Sequence, residues 1–108
     1  MTWKILLFET NRREKPVEKF INSLDPNTIA KVIHNIDLLE KYGNLLRMPH
    51  SRRLVKDLYE LRVKGKEEIR VLYTFRSSNI YLLHAFKKKS QKTPKREMAT
   101  ALKRIDRI

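Results

Sequence analysis

The chain has 108 residues, 41% of them hydrophobic, so its length and composition suit one folded domain with a core of its own. It has no cysteine, which excludes disulfides, thiolate metal sites and a cysteine nucleophile, and it has no apolar run near the roughly 20 residues of a membrane span. Its formal net charge of +13 is concentrated in residues 47–108, which hold 18 Lys and Arg against 6 Asp and Glu, whereas residues 1–46 hold 7 against 6.

The first, nearly neutral part of the chain predicts one strand and two helices. Residues 3–8 are short and apolar, as in a strand. Pro16 suits the first turn of a helix, and apolar residues then recur every three or four positions. Asp25 as the N-cap and Pro26 at the first helical position begin a second helix, which Gly43 ends. Both helices are amphipathic, so we expect them to cover a sheet.

The rest of the chain predicts a long loop over 44–57, three strands and a last helix, which begins at Thr93 after a basic loop. The predicted strands cover about 58–64, 68–75 and 79–86. The element order β-α-α-β-β-β-α predicts an α+β fold in which helices pack on one face of a mostly antiparallel, four-stranded sheet. No linker or repeat divides the chain, so we expect a single domain over 1–108.

The first two of these strands form a hairpin. If the loop 65–67 sets its register, one face carries only apolar and aromatic cross-strand pairs and is the core face. These pairs are Val63–Ile69, Leu61–Val71 and Tyr59–Tyr73. On the other face Arg62 lies opposite Arg70, and like charges in that position repel. A phosphate held between two guanidiniums would explain the pair, and removing either arginine should then leave folding intact. The alternative is a solvated face on which Glu60 and Glu68 neutralise the arginines.

The charge on residues 47–108, formally +12, indicates an anionic partner, because a ligand of opposite sign relieves crowded like charges. Nucleic acid is the first candidate, and an anionic membrane surface or an acidic protein is the alternative. The last helix carries Lys95 and Arg96 in its first turn, where the helix dipole favours acids. These residues either strengthen phosphate binding there or are simply good exposed helix formers.

Three segments carry a family resemblance: LYELR at 58–62, IRVLY at 69–73 and LLHAFKKKSQKTP at 82–94. Together they resemble the RelE superfamily of bacterial toxins, and most closely its HigB-type, phage-protein-like branch. The resemblance implies the toxin of a type II toxin–antitoxin system, a cytoplasmic endoribonuclease (mRNA interferase) that cleaves mRNA, usually on the ribosome. It also implies no metal, no cofactor and no membrane association. The implied partner is a cognate antitoxin, which in this branch typically carries a helix-turn-helix domain.

The family motif maps onto Arg62, Arg70 and the lysine run after the last strand. Metal-free RNA cleavage needs a base for the 2′-hydroxyl, cations for the crowded phosphorane and an acid for the leaving 5′-oxygen. The two arginines suit the phosphorane but cannot act as bases, since guanidinium stays protonated. A lysine crowded by other cations has a lowered pKa, so Lys88 is a candidate for proton transfer. The other lysines open to this role are Lys56, Lys87 and Lys89.

Histidine is the other possible proton carrier. His50 lies in the basic loop beside Arg52 and is the second candidate for proton transfer. His84 lies in the last strand in phase with Ile80 and Leu82, which favours a packed structural histidine. Scattered histidines without carboxylate spacing do not predict a metal site. The residues expected to bind the RNA backbone are Lys56, Lys64, Lys87, Lys89, Lys92, Lys95 and Arg96.

Two alternatives to a ribonuclease stay open at this point. A ParE-like toxin would share the fold but inhibit DNA gyrase, so supercoiling would fail while RNA stayed intact. A non-catalytic nucleic-acid-binding module would bind without cleavage and would not arrest growth. The two are distinguished from a ribonuclease by the state of cellular transcripts.

Overall fold

A mixed sheet is the framework of the fold. The computed structural model describes residues 3–89 and 91–108, which form five strands and three α-helices; Met1, Thr2 and Ser90, the last within the 82–94 segment, lie outside the described residues. In chain order the elements are β1 (Lys4–Leu7), α1 (Pro16–Asn22), α2 (Pro26–Tyr42), β2 (Ser51–Val55), β3 (Leu58–Val63), β4 (Ile69–Arg76), β5 (Asn79–Lys87) and α3 (Lys95–Ile105). The strands are ordered β1-β5-β4-β3-β2, with β1 parallel to β5 and the other pairs antiparallel.

The sheet has one strand more than predicted. β2 forms inside the segment that was predicted as a loop over 44–57, and it pairs with β3 so that Ser51 faces Leu61 and Arg52 faces Glu60. The predicted four-stranded sheet and the order β-α-α-β-β-β-α are therefore wrong. The cause is that β2 is an edge strand, and edge strands carry charged side chains instead of the apolar alternation that identifies a central strand.

Helices cover both faces of the sheet, not one face as predicted. α1 and α2 pack on the face that carries Leu61, Val71 and Leu82. α3 packs on the other face, where Ala101 contacts the cluster that includes Leu72. Because α3 begins only at Lys95, the end of this second face around Arg62 is left without a helix over it, and the candidate site lies there.

The long helix α2 begins and ends as the sequence predicts. The carboxylate of Asp25 accepts hydrogen bonds from the backbone N–H of Thr28 (3.3 Å) and from its hydroxyl (2.6 Å). Gly43 ends the helix with a φ of 52°, and the Trp3 indole occupies the space that a Cβ there would need. No helix among residues 3–89 and 91–108 is long and apolar enough to cross a membrane.

The hairpin register is confirmed at each predicted pair, including Arg62 opposite Arg70. The next strand, β5, departs from simple alternation. Leu72 faces His84 and Tyr73 faces Leu82, so Leu83 is an extra residue in β5. This bulge moves His84 to the face opposite Leu82, and the prediction that the two are in phase is wrong.

Candidate functional site

A basic cleft lies on the α3 side of the sheet, beyond the N-terminus of that helix. β3 supplies Arg62, β4 supplies Arg70, and the chain after β5 supplies Lys88 and Lys89. The cleft has a volume of about 440 Å³. Its lining residues are Arg62, Lys64, Glu68, Arg70, Lys88, Lys89 and Gln91. The lining therefore holds five cations and one carboxylate, which suits a polyanionic ligand.

A buried carboxylate, Glu60, lies beneath the arginines. Its Oε1 atom is 3.4 Å from Arg52 Nε, 3.7 Å from Arg70 Nε and 4.0 Å from Arg62 Nε, and its side chain is fully buried. The hydroxyl of Thr93 donates a hydrogen bond to Oε2, whereas Oε1 accepts no hydrogen bond among the described residues and contacts the guanidiniums only as ion pairs. Three guanidiniums around one carboxylate leave a net positive charge. The Glu60 carboxylate keeps the guanidiniums close to one another but neutralises only part of their charge.

The two arginines of the cross-strand pair differ in exposure. Arg70 is only 1% exposed, and its guanidinium also donates to Glu68 Oε1 and to the backbone oxygen of Ile69, each at 3.2 Å. The side chain of Arg62 is 16% exposed and contacts Met48 Sδ at 3.2 Å. Arg62 can therefore reach a ligand more easily than Arg70.

The burial of Arg70 overturns one expectation. The sequence suggested that removing either arginine would relieve repulsion and leave folding intact. Arg70 is instead one of the counter-charges of a fully buried carboxylate, and removing it would leave that carboxylate less well compensated. The neutralisation by Glu60 and Glu68 that the sequence left open is present in the ion pairs, yet the cations still outnumber the acids.

Lys88 has the electrostatic environment expected of a group that transfers protons. Burial and then the charge of Arg70 lower its pKa, and Arg52 and Arg62 act in the same direction. The carboxylate of Glu60 opposes them. The direction is the one that crowding by cations predicts, but burial is the larger cause; a lowered pKa makes the neutral amine more accessible near neutral pH.

The structure brings only some of the other predicted residues to the cleft. The backbone oxygen of His50 accepts the Arg62 N–H at 2.7 Å, but His50 is not among the residues that line the cleft. Lys64 and Lys89 line the cleft, but Lys56 lies in the β2–β3 turn at the far end of β3. Lys87 is opposite Ile69, on the other face of the sheet from Arg70, and its amine pairs with Glu67 at 2.8 Å. Three further residues that were predicted to bind the RNA backbone do not line the cleft. They are exposed and lie in or just before α3: Lys92, Lys95 and Arg96.

His84 is a packed histidine, as predicted, with a defined role in the fold. Its Nε2 atom is 2.7 Å from Glu97 Oε1, and its Nδ1 atom is 3.3 Å from a nitrogen of Arg104. Both partners lie on α3, so His84 fastens that helix to β5. It does not line the cleft.

Sequence reasoning missed Arg52, Thr93 and Gln91 and did not foresee that Glu60 would be buried. Arg52 could only be placed once β2 was known to be a strand paired with β3. A signal for Glu60 was available, since it shares its sheet face with Arg62 and Arg70 and lies opposite the apolar Leu72. A carboxylate opposite an apolar residue in a central strand indicates a buried partner for nearby cations.

One family model matches the chain: that described as "Phage derived protein Gp49-like (DUF891)", which covers residues 19–106. The matched stretch contains β3, β4 and β5 and therefore the whole cleft. No curated protein matches the chain.

Proposed function

Because the chain belongs to the Gp49-like family of phage-derived proteins, a RelE-like family of toxins in toxin–antitoxin systems, we propose that it is a toxin that cleaves mRNA without a metal ion. The single observation that supports this activity best is the cleft in which Arg62, Arg70 and Lys88 meet around Glu60. We assign it to the HigB-type branch and treat 1–108 as one toxin domain that acts in the cytoplasm. Family membership implies a cognate antitoxin, and a helix-turn-helix domain in that antitoxin belongs to the same proposal.

The proposed reaction is attack of an RNA 2′-oxygen on the adjacent phosphorus. Neutral Lys88 takes the proton of the 2′-hydroxyl, the 2′-oxygen forms a bond to phosphorus, and the bond from phosphorus to the 5′-oxygen breaks. The products are a 2′,3′-cyclic phosphate and a 5′-hydroxyl. His50, in the turn just before β2 and bonded through its backbone oxygen to the Arg62 N–H, is the proposed donor of the proton that the leaving 5′-oxygen takes up.

The arginines stabilise the charge that develops in this reaction. The phosphorane carries more negative charge than the phosphodiester, so cations fixed before the reaction lower its energy relative to that of the substrate. The buried Glu60 carboxylate fixes the guanidinium of Arg70 and flanks that of Arg62. Lys64 and Lys89 add charge along the cleft and bind the RNA backbone.

We propose that the mRNA is cleaved on the ribosome. The exposed cations Lys95 and Arg96 lie outside the cleft, at the start of α3. A surface of this kind supports binding to an RNA body larger than the strand that is cut, because its cations reach phosphates beyond the cleft.

The test is inducible expression of the chain, followed by primer extension on cellular transcripts and a measurement of plasmid supercoiling. We expect growth arrest with new 5′ ends inside translated regions, and neither effect from Arg62→Ala. Growth arrest with intact transcripts would contradict the proposal, and a loss of negative supercoiling in that case would identify the ParE-like alternative. Binding of RNA without cleavage and without arrest would identify a non-catalytic module.

A further inference from the structure

A second cavity lies on the opposite face of β2 from the basic cleft. Its volume is about 260 Å³, large enough for a nucleobase and part of its sugar. Its charged, hydroxyl-bearing and aromatic lining residues are Arg47, Ser51, Arg52, Arg53, Tyr59, Tyr73 and Phe75. Nothing in the proposed cleavage reaction uses this cavity.

Aromatic rings form one wall of the cavity. The ring centroid of Tyr59 is 5.0 Å from that of Phe75 and 5.6 Å from that of Tyr73. The hydroxyls of Tyr73 and Ser51 are hydrogen-bonded to each other, which satisfies the polar end of the buried tyrosine. Tyr59 and Phe75 are only partly buried, so they present ring surface to a ligand.

The rim of the cavity is cationic. Arg47 and Arg53 are exposed, and each guanidinium is anchored by a backbone oxygen, that of Asn44 for Arg47 and that of Lys56 for Arg53. No Asp or Glu is among the described residues that line the cavity. An aromatic wall beneath an uncompensated cationic rim suits a ligand with a planar ring and a negative charge, which is the chemistry of a nucleotide.

The edge strand β2 connects this cavity to the cleft. Arg52 lines the cavity but is opposite Glu60 in the register and pairs with its carboxylate, whereas the next residue, Arg53, is opposite Tyr59 on the other face. A single RNA strand that crosses the edge of β2 can therefore contact both sites. We propose that the cavity binds one nucleotide of single-stranded RNA, with its base against Tyr59 and Phe75 and its phosphate on Arg47 and Arg53. The assignment to an RNA strand rests on the proposed function; binding of a free nucleotide does not.

The chain carries its own reporter for this site. Trp3 is the one tryptophan in the sequence, and its ring centroid is 5.1 Å from that of Phe75. We expect adenosine or cytidine monophosphate to change the tryptophan emission of the full chain in a saturable way. Inorganic phosphate at equal concentration should not, because it lacks the ring that contacts the aromatic wall.

Two variants test the two halves of the site. Arg53→Gln removes a rim charge at an exposed position, and Tyr59→Leu removes an aromatic ring; each should weaken nucleotide binding about tenfold. Arg12→Gln removes the same charge from an exposed loop and should bind like the wild type. Arg53→Gln keeps the test decisive even if Tyr59→Leu fails to fold.

Three results would overturn the proposal: no emission change with either nucleotide, an equal change with inorganic phosphate, or wild-type binding by Arg53→Gln. The outcomes are separable from those of the proposed function. RNA cleavage without nucleotide binding would support the proposed function and contradict nucleotide binding in the cavity. Nucleotide binding without RNA cleavage does the reverse.

Discussion

Glu60 controls both the geometry and the proton affinity of the cleft. Its carboxylate lies within 4.0 Å of three guanidinium nitrogens, and its charge raises the pKa of Lys88 against the effect of the arginines. The crowding of three arginines explains why an acid is buried beneath a cationic cleft. Without the Glu60 carboxylate, the three guanidiniums would repel one another and would not stay ordered.

Glu60→Gln should shift the pH dependence of RNA cleavage. Glutamine keeps an oxygen to accept the Thr93 hydroxyl but removes the charge that raises the pKa of Lys88, so this pKa falls further. Cleavage that needs neutral Lys88 rises with pH through that pKa, so the rising limb moves to lower pH. Single-turnover cleavage of a short RNA at several pH values measures it. Glu67→Gln, which removes the partner of Lys87 on the other face, is the control and should leave the limb in place. An identical profile for Glu60→Gln would exclude Lys88 as the base.

Arg62→Ala and Arg70→Ala should separate catalysis from folding. Arg62→Ala should slow cleavage about a hundredfold, on the order of 3 kcal/mol, and melt near the wild-type temperature. Arg70→Ala should also unfold more easily, by about 3 kcal/mol, because a buried carboxylate loses a buried counter-charge. Arg62→Lys should not restore full activity, since lysine lacks the planar fork. Calorimetric melting and RNA cleavage of the same preparations test this, and equal melting of the two alanine variants would contradict the difference in burial.

At the scale of elements, α3 closes one end of the cleft through contacts near its start. The Thr93 hydroxyl just before the helix bonds Glu60, and Glu97 in its first turn bonds His84 on β5. Further along α3, Arg104 donates to the backbone oxygen of Leu83 at 2.8 Å. The position of the helix and the order of the arginine cluster therefore depend on each other.

Thr93→Val should weaken this connection without changing the size of the side chain. It leaves Oε2 of a fully buried carboxylate without its hydrogen bond, which should cost about 1–3 kcal/mol of unfolding free energy and slow cleavage. Thr100→Val is the matched control, because its hydroxyl donates only to the Arg96 oxygen one turn back in the same helix. Denaturant unfolding curves of the two variants compare them. Equal losses of unfolding free energy in the two variants would show that the hydrogen bond between Thr93 and Glu60 does not stabilise the fold more than a hydroxyl bond within the helix does.

The sequence allowed the hairpin to be predicted at the level of single residue pairs, because an unbroken apolar face admits only one register. It did not allow β2 to be predicted, since a charged edge strand lacks that alternation. The bulge at Leu83 was missed because Leu82 and Leu83 are both apolar, so the pattern does not show that one of them is an extra residue. The arginine pair was therefore predictable, whereas Arg52, Thr93 and the burial of Glu60 depend on elements that local patterns do not specify.

At the scale of the whole molecule, the net charge of +13 should make RNA binding strongly dependent on salt. The logarithm of affinity against the logarithm of salt concentration should fall with a slope of about −0.7 for each phosphate contacted on a single strand. Arg62→Ala should make this slope shallower by about that amount. Lys56→Gln, at the far end of β3, should leave it unchanged and is the control for the loss of one charge. A slope near zero for the wild type would contradict an electrostatic interface.

The parallel pairing of β1 with β5 has a consequence for the time at which the cleft assembles during synthesis. Among the described strands the first in chain order, β1, pairs with the last, β5, and Lys4 lies beside Asn79. Non-local pairs of this kind form late in folding, because the loop between them must close first. The hydrogen bond from the Thr93 hydroxyl to Glu60 likewise forms only after Thr93 has been synthesised. A chain synthesised only as far as β4 therefore lacks Lys88, Lys89 and the Thr93 hydroxyl and cannot assemble the cleft.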